Sequence, residues 1–141
     1  MRIFLIRHGD ADDSLTRDGR EQIAKTTEFL KSLGLDSRSV VLLSSPLQRA
    51  VETAALIRDG LAIAEIVQKS WLASDSEEGA FGLLKRFVVD NKDLSAVIVV
   101  MHMPEMDGIL GYLDSPFRAR NGSVHEIFLP PTRTPIQLFV P

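Results

Sequence analysis

A chain of 141 residues without a cysteine excludes disulfides, thiolate metal sites and cysteine nucleophiles. Its 16 basic and 19 acidic residues leave a net charge of −3, which argues against nucleic-acid binding and requires any anion site to be local. With 45% hydrophobic and 25% charged residues, a single globular domain over residues 1–141 is expected, burying roughly 70% of its unfolded surface.

The first apolar run, Ile3-Phe4-Leu5-Ile6, is continuous rather than alternating, as in a strand covered on both faces. It is too short for a signal peptide, and no run approaches a membrane span. A cytoplasmic location is therefore expected, which leaves the Asn121-Gly122-Ser123 sequon without a role. The run ends in Arg7-His8-Gly9, and residues 10–14 read as a solvated loop despite Asp10, Asp12 and Asp13, because the Asp-Gly pattern of a calcium loop is missing.

Leu15 to Arg20 opens a helix, with Thr16 as N-cap and Asp18 in the first turn. Ile23, Thr27, Leu30 and Leu33 follow at helical spacing, and Gly34 ends it. Val40-Val41-Leu42-Leu43 is a second apolar strand. Ser45 is then expected to cap a helix with Pro46 at its first position and Gln48 completing a capping box, burying Leu47, Val51, Ala54 and Leu61. A third strand is expected around Ala62 to Val67 and a helix over Glu78 to Asn91, carrying Phe81, Leu84, Phe87 and Val88.

The longest apolar run, Ala96 to Val100, predicts a central strand from Ser95 to Met101, ending at His102. Pro104 starts a further helix with Met106, Ile109, Leu110 and Leu113 inward. Val124 to Leu129 is a strand, and a Pro-rich turn leads to an edge strand from Ile136 to Val140. Strands alternating with helices predict an α/β fold with a mostly parallel sheet.

Three of these strands end in polar residues of one kind: Arg7-His8, Ser44-Ser45 with Arg49 one turn into the next helix, and His102. In such sheets ligands bind outside the carboxyl ends of the strands. Arg7, His8, Arg49 and His102 should converge there, and two permanently charged arginines suit a phosphate dianion. Taken singly, each has a plainer reading: a surface arginine, a loop histidine, a solvated helix residue, a satisfied core histidine. His125 lies within a strand and keeps that plain reading.

These residues also carry a family resemblance. Arg7-His8-Gly9-Asp10-Ala11, Leu15-Thr16-Arg17-Asp18-Gly19-Arg20-Glu21-Gln22, Ser45-Pro46-Leu47-Gln48-Arg49-Ala50 with Thr53-Ala54, and His102-Met103-Pro104 resemble, in order, the blocks of the histidine phosphatase superfamily. The likeness is to its small branch typified by SixA, the phosphohistidine phosphatases. It implies the phosphoglycerate-mutase-like fold, a three-layer α/β/α arrangement around a mostly parallel sheet. It also implies His8 as the phosphoryl-accepting nucleophile, His8 and His102 as the catalytic pair, and Arg7, Arg49, His8 and His102 as the phosphate pocket, with no metal or other cofactor. The expected partner is a phosphorylated protein or a small phosphoester, not nucleic acid or membrane.

Two departures stand out. Many members carry a leaving-group acid after the third strand, where this chain has Ala73, with Asp75, Glu77 and Glu78 as nearby candidates. Met101 replaces the glycine before the second histidine, an expectation of a more crowded pocket. The favoured reading is a metal-independent phosphatase acting through phospho-His8, on protein phosphohistidine. The alternatives are a phosphatase or mutase of a small phosphorylated metabolite, and a non-catalytic phosphate- or phosphoprotein-binding homologue.

Overall fold

In the computed structural model, residues 1–73 and 79–141 are described. Strands β1 (Arg2–Arg7), β2 (Val40–Ser44), β3 (Ile66–Gln68), β4 (Ala96–Met101), β5 (Val124–Ile127) and β6 (Ile136–Phe139) form one sheet in the order β3-β2-β4-β1-β5-β6. β3, β2, β4 and β1 run parallel, while β5 and β6 add on antiparallel. The connecting helices are α1 (Arg17–Ser32), α2 (Gln48–Leu61), α3 (Gly79–Asp90) and α4 (Glu105–Tyr112).

The continuous apolar runs of β1 and β4 have a physical reason. Alternate side chains leave opposite faces of a strand, and here both faces are covered. Phe4, Ile6, Ile98 and Val100 pack with Ile23, Leu30, Ala50 and Ile57 of α1 and α2. Ile3, Leu5, Val97 and Val99 pack with Leu84, Met106, Ile109 and Leu110 of α3 and α4. The result is the three-layer α/β/α architecture. Met101 is wholly buried in the second cluster, so its side chain fills the core on the α3–α4 side.

Several boundaries differ from the sequence expectations. Thr16 does cap α1, its hydroxyl accepting from the Gly19 N–H at 3.0 Å. Ser45 does not cap α2: the N-cap is Leu47, no side chain caps the helix, and Pro46 precedes it. Arg49 is therefore the second residue of α2, in its first turn. The buried face is Ala50, Thr53, Ala54 and Ile57 rather than Leu47, Val51 and Leu61, because small residues permit the close approach of helix and sheet. α2 ends where Ala62 turns left-handed at φ 56°, so β3 starts only at Ile66. β5 stops at Ile127 and β6 at Phe139. The expected start of α3 at Glu78, and the candidate acids Asp75, Glu77 and Glu78, lie outside the described residues.

Candidate functional site

Strand register alone assembles the heart of the site. β1 and β4 pair in parallel with Arg7 opposite Met101, so His8 and His102 are the next residues off adjoining strand ends. The His8 N–H continues the ladder to the Met101 carbonyl at 3.3 Å. On the other side of β4, Ser44 lies opposite Val100, which brings Ser45 alongside. Neighbouring strands lie about 4.8 Å apart, and the two imidazole rings stand 5.2 Å apart at 55°.

His8 is 9% exposed. Its Nδ1 is 2.7 Å from the Gly9 carbonyl oxygen. A carbonyl can only accept, so Nδ1 carries the proton and Nε2 keeps its lone pair. Burial holds the His8 pKa below the ordinary imidazole value; the Gly9 hydrogen bond opposes this, and the charges of Arg49 and Arg7 add to it. His102 is 3% exposed. Burial first, then His8 and Arg49, push its pKa down to about 4. Both rings are neutral near pH 7. The His102 Nε2 lies 2.5 Å from the Ser45 hydroxyl, while its Nδ1 is buried without a hydrogen-bond partner.

The arginines frame the pair. Arg7 is half-buried; its Nη1 donates to the Ala119 carbonyl at 3.3 Å, and its Nε has no partner. Arg49, also half-buried, acts by its charge on both His8 and His102 and has no ion-pair partner among the described residues. Its place in the first turn of α2 adds the helix's free N–H groups and positive dipole end. All four residues singled out in the sequence are therefore brought to one edge of the sheet. His125 is not among them: it is buried on β5, with Nε2 2.9 Å from the Ser123 hydroxyl. Among the described residues, no group of three or more His, Asp or Glu is placed to hold a metal ion, and no helix is long and apolar enough to cross a membrane.

Other residues hold the loop after β1. Thr53 accepts from the Gly9 N–H at 3.2 Å and donates to the Arg49 carbonyl at 2.9 Å, linking the loop after β1 to α2. Gln22 accepts from the Asp10 N–H at 2.9 Å, and the Thr16 hydroxyl donates to the Asp10 carboxylate at 2.7 Å. A Cβ on Gly19 would run into the Asp10 carbonyl, so only glycine lets α1 pass this close. Sequence periodicity did not reveal these contacts. The available signals were the resemblance blocks, which contain Asp10, Thr16, Gly19, Gln22 and Thr53 without saying what each touches, and the place of Thr53 four residues after Arg49, on the same helical face.

Comparison with known proteins bears on the fold that carries these residues. The arrangement is the phosphoglycerate-mutase-like fold. It is similar to the protein histidine phosphatase SixA solved with tungstate (TM-score 0.78, 22% identity, 99% of this chain and 95% of that one). It is also similar to a SixA-type protein from Agrobacterium tumefaciens (TM-score 0.70, 15% identity, 89% of each chain). A mycobacterial glucosyl-3-phosphoglycerate phosphatase follows at TM-score 0.68 and 16% identity, over 90% of this chain and 89% of that one. The model of the histidine phosphatase superfamily, branch 1, matches residues 3–73, and the chain belongs to that family. No curated protein matches the chain.

Proposed function

We propose that this protein is a metal-independent phosphatase that works through a phosphohistidine on His8, with protein phosphohistidine as its substrate. The observation that carries the reading is the hydrogen bond from His8 Nδ1–H to the Gly9 carbonyl, which leaves Nε2 as a free nucleophile beside Arg7, Arg49 and His102. Nε2 attacks phosphorus in line, the P–N or P–O bond to the leaving group breaks, and that group departs with the electron pair. The phosphorylated ring keeps its Nδ1 proton and so is cationic, a good leaving group steadied by Gly9. Water then attacks phosphorus, the P–Nε2 bond breaks, and neutral His8 returns. Arg7, Arg49 and His102 stabilise the equatorial oxygens, which is the larger part of catalysis in phosphoryl transfer.

Support for a protein substrate comes from the short connections: the longest between described elements is 113–123, with no room there for a long insertion. Ala73 in place of the acid points the same way, since a phosphoramidate needs less leaving-group protonation than an ester. Six strands drawn from residues 2–139 share one sheet, which supports residues 1–141 as a single domain. The absence of cysteine fits a cytoplasmic protein. A second reading, a phosphatase of a small metabolite, is favoured by the likeness to a glucosyl-3-phosphoglycerate phosphatase.

A phosphatase panel separates the two. A phosphohistidine protein is set against small phosphoesters, with and without chelator. Preference for the phosphoramidate, unchanged by chelator and abolished in His8→Ala, is the expected result. Ester preference lost in Asp75→Asn/Glu77→Gln/Glu78→Gln supports the metabolite reading. Wild-type turnover in His8→Ala overturns both, and phosphate binding without turnover or acid-quenched labelling identifies a binding homologue.

A further inference from the structure

Ser45 follows β2 and is fully buried. Its Oγ accepts from the Leu47 N–H at 3.2 Å and lies 2.5 Å from His102 Nε2. A hydroxyl has one proton and two lone pairs, and a backbone N–H can only donate. One lone pair therefore goes to Leu47, and either the proton or the other lone pair meets His102. If Nε2 carried the ring proton, Ser45 would accept twice, and its own O–H would have no acceptor among the described residues. His102 Nδ1, buried without a partner, would then be a bare acceptor as well, giving two orphaned polar groups. If Ser45 donates to Nε2, the ring proton sits on Nδ1 and only one group lacks a partner. Buried orphaned groups are rare because desolvating them is costly, so the second arrangement prevails.

We propose that Ser45 is a positioning residue that holds His102 as the Nδ1–H tautomer, so that the ring meets a phosphoryl oxygen with a donor and not a lone pair. This rests on the reading of His102 as part of the phosphate pocket. The tautomer matters because His102 is neutral near pH 7, its pKa pushed down to about 4. A neutral imidazole has one donor, and the wrong tautomer would turn a lone pair toward an anion. The local structure departs from its usual rule in a way that agrees. Ser45-Pro46 before a helix is a capping pattern, yet α2 begins without a side-chain cap and the hydroxyl serves His102. Such departures are expected at functional sites.

His125 supplies an internal control. Ser123 Oγ accepts from the Arg120 N–H at 2.9 Å and faces His125 Nε2 at 2.9 Å, leaving His125 Nδ1 without a partner. The same tautomer is expected there, away from the pocket.

The test is ¹⁵N NMR of the full chain, which holds three histidines, with and without orthovanadate, and kinetics on para-nitrophenyl phosphate. In the wild type, His102 should be protonated at Nδ1 and pyridine-like at Nε2, and vanadate should move the Nδ1 signal while His125 stays fixed. Ser45→Ala should mix the tautomers, weaken vanadate binding about 10-fold and lower kcat/KM about 10–100-fold, by analogy with the loss of a hydrogen-bond partner behind a metal-bound histidine. Ser45→Thr should restore all three. A wild-type His102 protonated at Nε2 overturns the proposal, even if Ser45→Ala fails to fold. So does a folded Ser45→Ala with unchanged tautomer and vanadate affinity. That result, with His8→Ala inactive, leaves the phosphatase reading standing; an active His8→Ala removes that reading whatever the tautomer.

Discussion

His8 Nδ1 sits 2.7 Å from the carbonyl oxygen of its own neighbour, Gly9, so the conformation of one peptide fixes which nitrogen of the ring is nucleophilic. That peptide is itself fixed by packing. A Cβ on Gly9 would lie 2.7 Å from the Gly19 carbonyl oxygen and 2.9 Å from Ile23 Cγ1, and backbone cannot yield as a flexible side chain does. Gly9→Ala should shift the carbonyl and free the ring to rotate. Because a misplacement near 1 Å can cost about 10² in rate, kcat/KM should fall about 100-fold. Steady-state kinetics with a melting curve checks this; a folded Gly9→Ala with wild-type turnover would remove the carbonyl's role.

Arg49 gives the cleanest separation of function from stability. It has no ion pair among the described residues, and its charge faces two neutral imidazoles. Arg49→Ala should lower kcat/KM on the order of 10²–10³, as for loss of one preorganised donor. Arg49→Lys should recover only part of this, since an ammonium keeps the charge but not the planar fork. The urea midpoint should not fall in either variant. A marked drop in stability, with activity kept, would make Arg49 a structural residue.

The parts legible in the sequence were those with long-range consequences for the backbone. Apolar runs set β1 and β4, and parallel register then places His8 beside His102 without reference to side-chain detail. What could not be read were contacts made by small or polar residues. Periodicity selects large apolar side chains, so it chose Leu47, which is 39% exposed, over Ala50 and Thr53, which the sheet and α1 bury. Ser45 fits a capping pattern perfectly well on local grounds. Its hydroxyl does keep a local partner, the Leu47 N–H at 3.2 Å, but its second partner, His102, is 57 residues away and has no local signature. Gly19 is needed because of Asp10, a contact with no periodic signature.

Arg7 is held at second hand. The Asp107 carboxylate on α4 accepts from the Ala119 N–H at 3.1 Å, and the Ala119 carbonyl accepts from Arg7 Nη1 at 3.3 Å. Asp107→Ala should loosen the 115–120 segment, reduce kcat/KM about 10-fold through Arg7, and destabilise by about 1–2 kcal/mol, as for a part-buried hydrogen bond. Asp107→Asn keeps an acceptor for Ala119 and should stay within about threefold of wild type on the same reasoning. Equal losses in both variants would show that the charge, and not the hydrogen bond, is what matters.

The buried histidines make stability depend on pH in a defined direction. His102 and His125 are both pushed down to about 4, burial being the first cause in each; Asp107 opposes the shift at His125. An unfolded histidine binds a proton below about 6.5, whereas these remain neutral in the fold until about pH 4. Between those values the unfolded chain holds more protons, so stability falls as pH falls, by up to about 1.4 kcal/mol per pH unit for each ring. Urea unfolding from about pH 6.5 to 4.5 should show this slope. Carboxylates contribute to it as well, and His125→Gln isolates one histidine without touching the pocket. Glutamine cannot take up a proton, so the variant's slope should be shallower by about one proton's worth. An unchanged slope would mean that His125 is already protonated in the folded protein, and that Asp107 outweighs burial there.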